Sequence, residues 1–476
     1  MNENEKIDSA VDASCRVPLL ALFGGAALWL VVGLALAIVA SLTFHKPDMF
    51  ADCPWLTYGR ALAAANDLLL YGFCIPTGLG VMLWIFARLS QAELCLPLVP
   101  IAAANIWHLG VLIGTVAILI GDSTGFMWLE FPRGSSVLLF AAFLLIAISA
   151  FATFGARRDR ELQPAHWFLL AAVFWFPWIY STANLLLLAS HPVRGVTQAV
   201  IDWWFSNNMV FVWLALVGIG TAFYFLPKLA GRPLQNRYYA LFAFWTFILF
   251  GTWCGIPHDA PVPAWLPASS AVASALLILP LFIIEFIGWR TAWGSVKSKW
   301  DSGPFCFVGS GVDFFFLSGL MLVAMACPQI SRATEFTWFG PAQIQLQFLG
   351  FFAMTMFGAV YYILPRTAGF DFPFPKLARV QFWISLFGLA LFILPLAIGG
   401  VEQGMKLQNS QIPFADISNS MLPYLRVSTT GQLLLLLGGL IFALNVFGLT
   451  LKWKMAVLKK LLAAIKAPLE TEEVKA

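Results

Sequence analysis

Three carboxyl side chains lie where lipid rather than water is expected. Asp67, Glu285 and Asp313 each fall inside a long apolar run, and an ionisable group at the centre of a bilayer costs roughly 2.5–3.5 kcal/mol on insertion scales. Such groups are kept to carry protons or cations, or are neutralised by Asn, Ser or Trp donors inside a helix bundle. Both readings stand for Asp67 and Asp313. Glu285 precedes Trp289-Arg290 by one turn and can reach toward the membrane surface, whereas Asp202 lies near the end of a run and is expected to be wetted. Gln343, Gln345 and Gln347 put three amides at alternate positions of one apolar run. An unpaired amide there costs several kcal/mol, so hydrogen bonding between helices is the favoured role, with a polar path or ligand cavity as the alternative. Of the five histidines, His258 stands four residues after Cys254. A metal would need third and fourth donors, so a polar residue at a helix end beside Asp259 is expected. His108 sits within an apolar run and suits hydrogen-bonded packing, while His45, His166 and His191 fall at run ends or in loops. The seven cysteines form no CxxC pair, which argues against a covalent haem, a zinc site or a disulfide framework.

The elements that hold these residues follow from composition. The chain has 476 residues, 60% hydrophobic and 11% charged, and a mean hydropathy of +0.82; a soluble domain carries roughly a quarter charged residues. A net charge of +4 is too small to indicate nucleic acid. Crossing a bilayer takes about 20 apolar residues as helix, and twelve runs qualify: 17–43, 62–88, 98–121, 136–155, 166–190, 201–227, 238–257, 265–289, 305–327, 340–364, 379–400 and 428–450. They are too long and too uniformly apolar for barrel strands, and backbone groups in lipid must be satisfied within the segment. The expected fold is an all-α integral membrane bundle of twelve helices.

Charge tests that count. If the twelve runs alternate across the membrane, 21 of the 28 basic residues fall on the amino-terminal side and 7 on the other. The positive-inside rule then puts both termini in the cytoplasm. The first twenty residues lack the basic start and cleavage site of a signal peptide, so the first run is expected to stay as a helix. The chain divides into a polar segment 1–16, a membrane domain 17–450 and a basic amphipathic tail 451–476. The tail either lies on the anionic leaflet or is a cluster of charges that enforces topology.

Four stretches share a distinctive texture: WWFSNNMV (203–210) followed by GTAFYFLPKLAGRP (220–233), WCGIPHDAPVPAW (253–265), IQLQFLGFFAMTMFGAVYYILPR (344–366), and GGVEQG (399–404) followed by RVSTTGQLLLLLGGLIFALN (426–445). With TYGR (57–60), and in this order, they resemble subunit I of the haem–copper oxidases, in particular the C-type (cbb-type) branch. The resemblance runs from about residue 55 to 450 and includes the helix count and orientation. It implies a bacterial inner-membrane protein with haem b and copper as the family cofactors, oxygen being reduced between iron and copper.

In that family six histidines hold the metals. Carried over one at a time, the low-spin haem ligand falls on Ala65 and the first copper ligand on Asn207. The adjacent copper pair falls on Pro257 and His258, and the cross-linked tyrosine on Gly251. The two haem ligands of the tenth helix fall on Gln343 and Gln345. Two residues apart, these point to nearly opposite faces of one helix. A family glutamate of proton delivery falls on Ser318. One imidazole of six remains, so no bound cofactor is expected. The sequence reads as a ligand-deficient relative: a non-catalytic structural, assembly or regulatory subunit, with membrane lipid and other respiratory subunits as partners. The alternatives are a proton or ion transporter that reuses the bundle, and an active haem–copper oxidase or nitric oxide reductase subunit as the family label suggests. Removing two haems would leave costly cavities, so the 44 Phe and 20 Trp, with Gln343 and Gln345, are expected to fill the vacated pockets.

Overall fold

The structure is a computed structural model that describes residues 3–159, 161–189, 191–292 and 303–473, with side chains from residue 5 to residue 463 of that set. Arg160, Lys297, Lys299 and Lys475, counted above among the basic residues, lie outside the described residues. The described residues form helices and loops, with no strand. The principal helices are α1 (Glu3–His45), α2 (Tyr58–Ser90), α3 (Leu98–Ile120), α4 (Arg133–Gly155), α5 (Pro164–Leu188), α6 (Val196–Ala230), α7 (Arg237–Gly251), α8 (Trp265–Ala292), α9 (Gly303–Met325), α10 (Phe339–Ala368), α11 (Pro375–Leu407) and α12 (Phe414–Glu473).

Eleven of these are long and apolar enough to cross a membrane, which makes the chain an integral membrane protein. The expected count of twelve is not confirmed. The run 238–257 yields only the 15-residue α7, about 22 Å long at 1.5 Å per residue. Its apolar composition extends further than its helix does. Beyond Gly251 the chain turns at Gly255, whose φ of +94° suits a residue without Cβ, and then meets Pro257, Pro261 and Pro263, which cannot donate to a helix. Cys254 and His258 therefore lie in a loop rather than on one helical face.

The two ends of the bundle keep the expected alternation. At one end Arg88 pairs with Asp8 (2.9 Å) and Asp12 (3.5 Å) at the start of α1. Arg16 donates to the Thr367 carbonyl (2.5 Å) and Lys452 to that of Asp371 (3.2 Å), and Arg237 meets Glu161 at 3.1 Å. Residues 3–16 are thus the opening turns of α1, and α12 continues unbroken past residue 450. At the other end His45 Nε2 meets the Thr429 hydroxyl (2.8 Å), Arg60 donates to the Leu119 carbonyl (3.2 Å), and Gln403 accepts from the Trp338 amide (3.1 Å).

Burial sorts the helices into a centre and a surround. The most apolar stretches of α2, α6 and α10 are 100%, 94% and 89% buried, against 50% or less for every other spanning helix. These three central helices carry Ala65, Asp67, Asn207, Gln343 and Gln345 among the residues singled out for chemistry.

Candidate functional site: the core of α2, α6 and α10

Each central helix widens immediately after one of the singled-out residues. π-helical runs occupy 68–74 after Asp67, 208–213 after Asn207 and 346–353 after Gln345; another lies in α5 at 184–188. A π-turn inserts a residue into the α-helical register and re-aims the side chains around it, and such turns concentrate at functional sites.

Gln343 and Gln345 point to opposite flanks of α10, as their spacing requires. On the flank facing α6 and α9 the amides are tied into a hydrogen-bonded network, and a cavity of ≈ 320 Å³ lies beyond it, lined by Pro257, His258, Leu322, Glu335 and Ile344. Gln343 Nε2 donates to the Ser318 carbonyl (3.3 Å), the Ser318 hydroxyl donates to Gln347 Oε1 (2.5 Å), and Gln347 Nε2 reaches the Phe211 carbonyl (3.5 Å). Asn207 Nδ2 donates to the carbonyl of Gly251 (2.8 Å), so two of the positions singled out in the sequence are in contact through an amide. A Cβ on Gly255 would come within 2.6 Å of the Asn207 side chain. Four buried rings pack beside this network: Phe315 lies 4.8 Å from Phe351, 6.0 Å from Phe247 and 6.1 Å from Phe211, centroid to centroid. Such ring pairs contribute about 0.5–1.5 kcal/mol each beyond simple burial.

The other flank is open. A cavity of ≈ 190 Å³ lies between α1, α2, α10, α11 and α12, with Gln345, Asn66 and Gln432 on its wall. Ala65 is fully buried, and its neighbour Asn66, not Ala65, lines the space. Aromatic and amide side chains pack around Gln343, but a cavity of ≈ 320 Å³ borders Pro257, His258 and Ile344, and on the other flank Gln345 borders a void, so the expected filling of both pockets is not met.

The histidines do not converge. His258 is exposed, its Nδ1 3.1 Å from Asp259 Oδ1, and its backbone amide donates to Glu335 (2.7 Å) in the segment between α9 and α10. Pro257 beside it offers no donor. His108 accepts from Trp29 Nε1 (3.2 Å), and His166 caps the start of α5 through the Gln163 amide (3.0 Å). Among the described residues, no three His, Cys, Asp or Glu side chains are placed to share a metal ion.

The acids separate into two pairs. Asp67 is fully buried beside Glu130, which sits in the loop between α3 and α4. Neither Asp67 oxygen reaches hydrogen-bonding geometry with a neighbour, and Glu130 Oε2 and the Tyr180 hydroxyl are likewise unpartnered. Burial pushes the Glu130 carboxyl up to about 7, aided by the charge of Asp202, while the adjacent Asp67 carboxyl and nearby backbone amides oppose the rise. Asp202, expected to be wetted, is half-buried with one oxygen enclosed. Glu285 on α8 and Asp313 on α9 face one another, Asp313 on the outer wall of the bundle. Sequence reasoning missed Glu130, Asn66 and Gln432. Glu130 stands in a connecting segment between two long apolar runs, where an acid draws no notice, and the amides of α2 and α12 become notable only once the cavity is seen.

Comparison with known proteins extends over nearly the whole chain. The sequence profile of the family described as cytochrome c and quinol oxidase polypeptide I matches residues 17–434. Similar curated proteins include the Cbb3-type cytochrome c oxidase subunit CcoN1 of Stutzerimonas stutzeri, 22% identical over 424 residues, which cover 87% of this chain and 89% of that protein. Cytochrome c oxidase subunit 1 of Rhodobacter capsulatus is 23% identical, with 89% of this chain and 83% of that protein covered. Among solved structures, a haem–copper terminal oxidase dimer determined by cryo-EM superposes with a TM-score of 0.75 at 17% identity, covering 91% of this chain and 84% of that one.

Proposed function

This chain belongs to the cytochrome c and quinol oxidase polypeptide I family, and we propose that within it the chain is a non-catalytic subunit of a respiratory complex in the bacterial plasma membrane, with a structural, assembly or regulatory role. The family binds haem and copper. Low-spin haem iron in this family takes two imidazoles, and copper sites of this type take several more. The positions that answer to those ligands carry a methyl group at Ala65, amides at Asn207, Gln343 and Gln345, and a ring without a donor at Pro257. Asn207 and Gln343 are already engaged with the carbonyls of Gly251 and Ser318. His258 faces solvent beside Asp259. This donor set does not fit either haem or the copper centre, and it is the observation that carries the reading.

Expression of the chain in a strain lacking its own terminal oxidases tests it. The expected result is no oxygen consumption above background in that strain, and co-purification of histidine-bearing oxidase or cytochrome subunits from a strain that retains its oxidases. Oxygen reduction by the chain alone would overturn the proposal. A second reading, proton handling without redox chemistry, is favoured by the fully buried Asp67 beside Glu130. Proton flux into liposomes that disappears in Asp67→Asn would establish it, and flux unchanged by that substitution would remove it.

A further inference from the structure

We propose that the cavity beside His258, between α8, α9, α10 and the loops that follow α7 and α9, binds a small organic cation: a primary ammonium group on a short apolar body. The site goes beyond the reading of a non-catalytic subunit, and rests on it only in holding His258 free of copper.

The wall sets the body of the ligand. The space measures ≈ 320 Å³, within the usual range for small-molecule sites, and lies at the end of the bundle away from the two termini. Ile256, Pro267, Leu322, Met325 and Ile344 make most of its lining aliphatic. A ligand that fills it must therefore bring apolar surface of its own.

Charge selects the head group. Among the described residues, Glu335 and His258 are the ionisable side chains on the wall, and no Lys or Arg joins them. Glu335 Oε1 accepts from the His258 backbone amide (2.7 Å), while Oε2 is enclosed without a partner. The bond to that amide needs only a carbonyl oxygen, which a glutamine would supply without a charge. An enclosed carboxylate oxygen is costly to leave unpaired, and a cation that donates to it forms a charge-assisted hydrogen bond. The protein supplies no such cation itself. Ser270 and Ser274 of α8, both buried, add hydroxyl oxygens to the same wall, and an ammonium group has three N–H donors to share among these acceptors. Phe336, 81% exposed and held at φ +56°, also borders the space. A non-glycine residue is uncommon in that backbone region, and an aromatic face there attracts cations. An anion would be repelled by Glu335, and a neutral ligand would leave its charge unpaired.

The test uses the full chain in lipid nanodiscs, with haem and copper content measured first. The probes are para-fluorophenethylammonium and its neutral counterpart para-fluorophenethyl alcohol, followed by fluorine NMR line width with empty nanodiscs as the blank. Saturable binding of the amine is expected, with the alcohol weaker by about tenfold, the equivalent of roughly 1.4 kcal/mol. Glu335→Gln is expected to lower the amine to the affinity of the alcohol and to leave the alcohol unchanged. Asp259→Asn, which removes the exposed acid beside His258, should leave amine binding as in the parent. Met325→Trp, which fills the cavity, should abolish binding of both probes. Circular dichroism identical to the parent guards against misfolding, and the comparison of the two probes needs no variant at all. Equal affinity for both probes, amine binding unchanged in Glu335→Gln, or an equal loss in Asp259→Asn overturns the site and leaves the ligand-loss reading intact. Haem or copper in the purified protein overturns both.

Discussion

The two flanks of α10 begin from the same residue type and end differently. Gln343 and Gln345 stand two residues apart and point opposite ways, yet Gln343 is absorbed into a hydrogen-bonded, phenylalanine-packed interior, and Gln345 faces open space. The difference lies in the neighbours. Toward α9, Ser318, Gln347 and four phenylalanine rings converge from α6, α7, α9 and α10. Toward α1 and α12, leucine and aromatic side chains with Ala37 and Ala40 between them leave a void, and the amides on its wall find no partner. An interior that has repacked to native density has no room for a ligand. One that keeps unpartnered polar groups around a void retains a reason to bind something.

Packing changes should separate the flanks most sharply. Phe315→Ala on the closed flank is expected to cost about 3–5 kcal/mol, seen as a large fall in the thermal midpoint in detergent. A loss near zero would mean that the ring cluster is not tightly packed. The next effect in size is a pH dependence on the open flank, near Trp128. Because burial raises the Glu130 carboxyl from 4.5 to about 7, the folded state binds its proton more tightly than the unfolded state. Stability from this group is therefore present below pH 4.5 and is lost as pH rises through about 7, with a slope of at most about 1.4 kcal/mol per pH unit. Asp67, Asp202, Tyr71 and Tyr180 surround it. Glu130→Gln should flatten the melting profile between those limits, and an unchanged slope would assign the effect to another group.

Amide substitutions give a smaller contrast. Gln347→Leu breaks contacts with Ser318 and Phe211 and is expected to cost about 1–2 kcal/mol, whereas Gln345→Leu should change stability by less than about 0.5 kcal/mol. Equal losses in the thermal midpoint would erase the distinction between the flanks. The smallest effect is expected from Ala37→Leu, which adds volume where volume is free and should leave the midpoint unchanged or slightly higher. Gly218→Ala, whose Cβ would meet the Phe351 ring, should lower it by about 1–3 kcal/mol.

Much of this architecture was legible in the sequence because lipid makes simple demands. Long apolar runs and one-sided Lys and Arg give the helices and their alternation, and the opposed directions of Gln343 and Gln345 follow from helical geometry alone. The short α7 was not legible, since hydropathy runs on through Trp253 while Gly255 and Pro257 have already ended the helix. The π-turns after Asp67, Asn207 and Gln345 left no trace in composition, because an i→i+5 bond demands no particular residue type. Asp67 was visible as an acid in an apolar run. Glu130 was not, because its burial comes from a loop folding inward onto α2. The cavity depends on five helices and on which side chains fail to meet, and no local pattern reports that.

The visible absorption spectrum of the purified chain, taken oxidised and dithionite-reduced, addresses the central claim most directly. With Ala65, Asn207, Pro257, Gln343 and Gln345 proposed to stand at the metal-ligand positions, the account predicts no Soret band and no reduced α-band. A Soret band with the reduced spectrum of bis-imidazole haem would contradict it.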